Sequence, residues 1–258
     1  MRQYIVDAFT DKIFGGNPAA VCVFKNFPPA ELMQNIALEN NLSETAFAVK
    51  AGEKYKLRWF TPAAEIDFCG HATLGAGFTI LTQIEPDLNF VTFETLSGEM
   101  TVTKAGNFFE MDFPAYRYKK IPVTAEMSAA VGAEVVEAYL SRDLLMVVES
   151  LEKIQPDVEK LAKLDGLTQA VTAAGTDFDC VSRVFAPKVG VPEDPVTGST
   201  HCLIAPFWAE RLGKKILNAR QASKRGGNLR CEVLGERVKI AGQAVLFSVA
   251  ELKLEEEF

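Results

Sequence analysis

With 258 residues, 48% of them apolar and 10% aromatic, the chain has room for two modest domains, each able to bury its own core. A formal charge of −7 speaks against nucleic acid and anionic membrane surfaces as partners, because both select basic faces. No apolar run approaches the roughly twenty residues of a membrane span. The five cysteines are odd in number and widely spaced with no CxxC pair, so neither a disulfide framework nor a zinc site is expected.

The opening run Met1-Arg2-Gln3-Tyr4 leads into a strand-like stretch with no signal-peptide core, which points to the cytoplasm. Period and composition predict strands at Tyr4–Ala8, Ala19–Phe24, Thr45–Val49, Lys54–Phe60, Leu88–Glu94, Met100–Lys104 and Phe108–Asp112, with a helix from Pro29 to Asn40. A second helix should run from His71 to about Ile84. Ala72, Leu74, Ala76, Phe78, Ile80 and Leu81 make it apolar on every face, so it needs a sheet curled around it. Prolines and cations between Pro114 and Val123 suggest a linker, dividing the chain into residues 1–115 and 116–258. The counterpart helix, Ser199 to about Leu212, is equally apolar, and Pro206 should bend it. The basic run Lys224 to Arg230 reads as a solvated turn. The last strand, Ala244 to Leu252, lacks a partner in the second half and is expected to return to the first domain, leaving Glu255-Glu256-Glu257 as a solvated end.

The two halves repeat one unit. Arg58-Trp59-Phe60-Thr61-Pro62 recurs as Arg183-Val184-Phe185-Ala186-Pro187, an offset of 125 residues from 58 to 183, and Ala20–Pro62 lies on Leu145–Pro187 without a gap. Further on, Gly98 and Gly106 meet Gly227 and Gly235. Glu44 falls opposite Gln169, so one half carries a carboxylate where the other has a neutral amide. Two such domains facing each other would enclose a pseudo-symmetric cleft with asymmetric chemistry.

Each copy runs on to a glycine-led helix start, at Gly70 or Gly198, and the only two histidines, His71 and His201, follow them. A helix start offers unpaired backbone N–H groups and the positive end of the dipole, a ready anion site. Two of them facing one cleft would hold a carboxylate. Glu193-Asp194-Pro195 stands just before the second. On the residues alone each keeps a plainer reading: Glu193 and Asp194 as loop acids, Glu44 as a surface strand residue, His71 as a core histidine left neutral by the dipole. His201 reads as structural, and four of the five cysteines as small buried apolar residues.

In order and spacing, FGGNPAAVCVF, NLSETAF, RWFTPAAEIDFCGHATLG and GVPEDPVTGSTHC resemble the phenazine-biosynthesis PhzF-type family, from the N-terminus to at least Val238. That family is similar in fold to diaminopimelate epimerase and proline racemase. The resemblance implies an α+β chain of two pseudo-symmetric domains, each a curled, barrel-like mixed sheet around a central helix, with the active site between them. It implies that Glu44 is the acid/base residue, with His71 and Asp194 as polar partners near the substrate and Gly70, Gly198 and Ser199 as helix-start donors. The expected function is isomerisation of a small carboxylate-bearing metabolite with no cofactor and no metal, and a homodimer is compatible with it. Two alternatives stand beside it. One is an epimerase using Cys69, which sits beside Gly70 as a racemase cysteine does, although the matching place in the second half is Asp194. The other is a non-catalytic small-molecule binding protein on the same fold. A dehydrogenase is set aside because no GxGxxG follows the first strand.

Overall fold

The computed structural model describes residues 1–254, so the acidic Glu255-Glu256-Glu257 end lies outside the described residues. The chain forms two compact units. Unit 1 takes Met1–Asp112 and the segment from Ala241 onwards, and unit 2 takes Phe113–Ile240. Both are α+β, with mixed sheets and few helices.

Unit 1 contains β1 (Arg2–Ala8), β2 (Asn17–Phe24), α1 (Ala30–Asn40), β3 (Glu44–Ala51), β4 (Lys54–Phe60), β5 (Glu65–Ile66), α2 (Gly70–Thr79), β6 (Phe90–Thr95), β7 (Gly98–Ala105) and β8 (Phe108–Pro114). β1 runs antiparallel to β2 and to the chain's last strand, Ala244–Glu251. β2 is parallel to β3, β3 antiparallel to β4 and β4 parallel to β6, which continues into the β6–β7–β8 meander. Alternation then sorts the side chains. Cys22, Phe24, Phe47 and Val49 pack with Met33, Ile36 and Ala37 of α1 on one face, which leaves Ala19 and Val21 facing α2.

α2 touches β1, β2, β3, β7 and the last strand, and Gly70–Gly77 is buried throughout. Contact with strands from so far apart in the sheet is what a sheet curled around a helix produces. Two glycines set the approach. A Cβ at Gly75 would sit 3.7–3.8 Å from Ala19, Val21 and Val6, whereas one at Gly77 would come within 2.5 Å of Val102. The helix ends sooner than its apolar pattern predicts. After Thr79 the chain widens into a π-type turn over Ile80–Ile84, closed by the Glu85 N–H on the Ile80 carbonyl at 2.7 Å.

Unit 2 contains β9 (Lys119–Ile121), α3 (Ala125–Val131), β10 (Val135–Leu140), β11 (Leu144–Val148), α4 (Val158–Leu161), β12 (Gln169–Ala174), β13 (Cys180–Ala186), β14 (Val191–Asp194), α5 (His201–Leu212), β15 (Ile216–Gln221), β16 (Gly227–Leu234) and β17 (Arg237–Gly242). Its strand order repeats that of unit 1. The parallel pair β2–β3 aligns Ala19 with Glu44, and 125 residues on β11–β12 aligns Leu144 with Gln169. The antiparallel partner has slipped by one, since Thr45 faces Phe60 but Ala170 faces Val184. A side-chain clasp also repeats. Arg58 grips both carboxylate oxygens of Glu65 at 2.6 and 2.7 Å and lies 5.3 Å over Phe60; Arg183 grips Glu193 at 2.7 and 2.8 Å and lies 5.3 Å over Phe185.

The structure corrects three expectations in this unit. The Pro114–Val123 stretch is not a plain linker, because Lys119–Ile121 pairs with Leu140–Ala138 as β9. Two lysines in a three-residue strand leave no apolar alternation to read. The second helix begins at His201 rather than Ser199. The N–H groups of His201, Cys202 and Leu203 bond three residues back to Gly198, Ser199 and Thr200, a tighter turn that leads into the helix. The basic run is a turn only at its start, because β16 begins at Gly227 and buries Leu229. Pro206 sits inside α5 and lacks the N–H that would reach the Cys202 carbonyl, which instead accepts from the Tyr116 N–H at 2.8 Å. No helix among the described residues is long and apolar enough to cross a membrane.

Candidate functional site

Unit 1 brings four polar side chains to the start of α2. Glu44 is the first residue of β3 and shares the register position of Ala19, so it points to the α2 face. Its neighbour Thr45 points the other way and is tied by Asn40, at the end of α1, through a 3.0 Å bond; Asn40 is in turn held by Gln3 at 2.9 and 3.0 Å. This chain of amides fixes where β3 begins. Cys69 occupies the cap of α2 and His71 its second residue. Asn17 opens β2 just after Gly16, whose φ of +59° and whose place 2.0 Å (as a Cβ) from the Ala8 carbonyl oxygen admit no side chain.

The imidazole is the hub. His71 Nε2 lies 3.1 Å from Glu44 Oε2, and Nδ1 lies 3.3 Å from the Asn17 amide nitrogen and 3.5 Å from Cys69 Sγ. The Glu44 side chain is 15% exposed and that of His71 only 6%. Despite the 3.1 Å approach, Glu44 Oε2 and His71 Nε2 are buried without a hydrogen-bond partner among the described residues. Two polar atoms are thus held close and buried without a mutual hydrogen bond, an arrangement that a ligand atom would complete.

Burial opposes an imidazolium here, yet the adjoining Cys69 sulfur and Glu44 carboxylate outweigh it and hold His71 well above the usual imidazole range. Burial, reinforced by the Glu44 charge, in turn pushes the Cys69 thiol up. The pocket thus favours a proton on the imidazole more than the helix dipole alone would.

In unit 2, Asp194 ends β14 and its carboxylate accepts the Thr197 hydroxyl at 2.5 Å. Gln221 clamps this loop three times: it donates to the Asp194 carbonyl at 2.7 Å and to the Thr197 hydroxyl at 3.2 Å, and accepts from the Thr197 N–H at 2.9 Å. The Gly198 carbonyl accepts the His201 N–H at 3.1 Å. The Ser199 hydroxyl accepts from Arg142 at 3.0 Å, and Arg142 also grips the fully buried Asp143 at 2.7 and 3.0 Å. Asp143 then accepts the Thr200 hydroxyl at 3.0 Å, so Ser199 and Thr200 are both held by one ion pair. Glu193 belongs to the Arg183 clasp. His201 Nδ1 donates to the Thr197 carbonyl at 2.9 Å, and burial holds the ring down at about 4, a neutral structural histidine. Cys202 is buried within α5 and burial pushes it up to about 12, which leaves it a thiol.

Glu44, Cys69 and His71 therefore come together in unit 1, while Asp194, Gly198 and Ser199 lie in one loop of unit 2. Sequence reasoning missed Asn17, although it stands inside the quoted string FGGNPAAVCVF. It also missed Thr197, Gln221, Arg142 and Asp143. Gln221, Arg142 and Asp143 lie 24 to 57 residues from the groups they hold, beyond the reach of any motif. At Glu44's counterpart, the Gln169 amide donates to the carbonyls of Asp165 and Gly166 at 3.1 and 3.2 Å and serves to close a loop.

Residues 6–250 match the family model described as phenazine biosynthesis-like protein, PhzC-PhzF. A Pseudomonas aeruginosa protein named as an uncharacterized isomerase is 45% identical over 252 residues, which is 96% of this chain and 97% of that protein. The crystal structure of a PhzF-family phenazine biosynthesis protein from Enterococcus faecalis is 48% identical and superposes with a TM-score of 0.96, covering 98% of this chain and 99% of the other. A probable proline racemase from Agrobacterium radiobacter, 10% identical with a TM-score of 0.63 over 98% of this chain and 93% of its own, shares the fold alone.

Proposed function

The chain belongs to the phenazine biosynthesis-like PhzC-PhzF family, and from that premise we propose that it is an isomerase in which Glu44 moves a proton on a small carboxylate-bearing metabolite. The observation that carries this reading is the buried pair of Glu44 and His71, 3.1 Å apart and not hydrogen-bonded to each other. A carboxylate so placed takes a proton from a carbon next to an electron-withdrawing group and returns it elsewhere on the same molecule, which leaves the substrate's composition unchanged. The imidazole beside it offers its Nε2 as a donor to charge that develops on the substrate as the carbon proton leaves. Asn17 sets the ring's orientation from the far nitrogen.

In this proposal Asp194, Gly70, Gly198 and Ser199 hold or orient the substrate, which is the part the family resemblance assigns to them. The short Asp194–Thr197 bond and the Arg142–Ser199 bond support it, because they fix both groups in place before any ligand arrives. No other group is needed for the transfer, since Glu44 accepts and returns the proton.

The test is exchange of solvent deuterium into a panel of small unsaturated and amino carboxylates, followed by proton NMR. Wild type is expected to label one carbon position of a substrate, and Glu44→Gln, folded normally, to lose the label about a hundred-fold or more. A Glu44→Gln protein that exchanges as fast as wild type overturns the mechanism, and a wild type that binds a carboxylate without labelling it favours a binding protein.

A further inference from the structure

We propose, on the reading above in which Ser199 holds the substrate, that Arg142 is a positioning residue: it fixes the Ser199 hydroxyl as a donor and so makes unit 2 select a carboxylate over a neutral group. The first observation is a repeat. From Asn17 to Arg142 is again an offset of 125 residues, and each stands two positions ahead of the residue that begins its parallel strand pairing, Ala19 or Leu144. Each also reaches the residue after the glycine at a helix start, Gly70 or Gly198. The Asn17 amide nitrogen lies 3.3 Å from His71 Nδ1, and Arg142 Nη2 donates to Ser199 Oγ at 3.0 Å. In unit 2 the repeated contact is made by a cation.

The second observation is the direction of that bond. A guanidinium has five N–H donors and no acceptor. Four of those of Arg142 are committed: one on Nε and one on Nη2 to Asp143, one on Nη1 to the Tyr116 hydroxyl at 3.0 Å, and the other on Nη2 to Ser199. Ser199 therefore accepts from Arg142, and its own proton points elsewhere; among the described residues no group takes it. The neighbouring hydroxyls are spent, since Thr197 donates to Asp194 and Thr200 to Asp143. The Ser199 proton is thus the one this turn keeps for a ligand.

Charge decides which ligand. Asp143 is fully buried and Arg142 is 32% exposed, so the ion pair turns its positive pole outward, on the side of Ser199. Two bonds to Asp143 and the Tyr116 ring 4.9 Å away keep the guanidinium from swinging. A carboxylate answers a fixed donor beside that pole more strongly than a neutral carbonyl does, because the hydrogen bond is charge-assisted. An ammonium group would meet donors only.

The test follows the backbone amide of residue 199 by nitrogen-15 NMR while the full chain is titrated with hexa-2,4-dienoate and, separately, with its neutral amide. Wild type is expected to bind the dienoate about ten-fold or more tighter than the amide, the worth of one hydrogen bond to a charged group. Arg142→Gln is made together with Asp143→Asn, so that no buried charge is left stranded. That pair and Ser199→Ala should each weaken dienoate binding roughly ten-fold and leave the amide nearly unchanged. The triple variant should be no weaker than Ser199→Ala, since a residue that acts through Ser199 has nothing left to position. Equal binding of acid and amide by wild type, full affinity in Ser199→Ala, or a further loss in the triple variant would each overturn the role of Arg142. These readouts need no turnover. Charge-selective binding with no deuterium exchange into any carboxylate would leave Arg142 in place and sink the isomerase reading, whereas exchange that depends on Glu44, with acid and amide bound alike, would do the reverse.

Discussion

Glu44 and Gln169 hold the same place in two copies of one unit, each opening the second strand of a parallel pair, yet one faces the His71 imidazole and the other closes a loop. Their interchange is asymmetric. Gln169→Glu would set a carboxylate against two carbonyl oxygens in a fully buried position. Stability should fall by about 3 kcal/mol or more, measured by urea unfolding at neutral pH, and recover in part as acid protonates the new group. A variant as stable as wild type at pH 7 would mean that the loop has another donor.

Gly75 and Gly77 of α2 make opposite predictions. Gly75→Ala adds a methyl at ordinary van der Waals distance and removes a flexible residue from a helix, so stability should rise by up to about 1 kcal/mol. Gly77→Ala drives its methyl into Val102 and should lower stability by about 1–3 kcal/mol. Thermal unfolding of the two variants side by side checks the curled-sheet packing; equal shifts would contradict it.

The two buried histidines respond to pH with opposite signs. His201 titrates near about 4 in the folded chain and near about 6.5 when unfolded, so the unfolded state takes up the proton first. Its share of stability is complete above about 6.5 and falls as the pH drops toward 4, by about 3 kcal/mol in all. His71 is raised instead, so its contribution is present below the unfolded value and fades as the pH climbs through the folded one. Urea midpoints at pH 7 and 4.5 should differ less in His201→Gln than in wild type, and an unchanged difference would refute the assignment.

Cys69→Ser should keep most of the turnover, losing less than about ten-fold where a true acid/base residue costs a hundred-fold or more. Burial and the Glu44 charge keep its thiol protonated, and Cys202 is equally unready to act as an opposing base. Loss of exchange as complete as in Glu44→Gln would promote the epimerase alternative.

The sequence made some of these relationships legible and hid others. The all-apolar helix from His71 announced a sheet around it, because no other packing buries every face. The 125-residue offset anticipated the parallel register at Glu44 and Gln169, since backbone pairing preserves spacing. The state of His71 was hidden because its charge depends on Glu44 and Cys69, and Glu44 lies 27 residues away in the chain. The Arg142–Asp143 pair behind Ser199 was equally hidden, for adjacent opposite charges look like any solvated surface until burial is known. The start of α5 was misplaced by two residues because Gly198-Ser199-Thr200 resembles a helix cap and forms a tighter turn instead.

The Arg58–Glu65 and Arg183–Glu193 clasps separate what shapes the unit from what distinguishes its two copies. Both copies carry the same two-pronged grip over a phenylalanine, and only one carries an acid at the head of its strand. The shared grip and the lone carboxylate are thus carried by different residues of the repeated unit. At position 169 the amide fastens a loop, while the arginine grip is present in both copies.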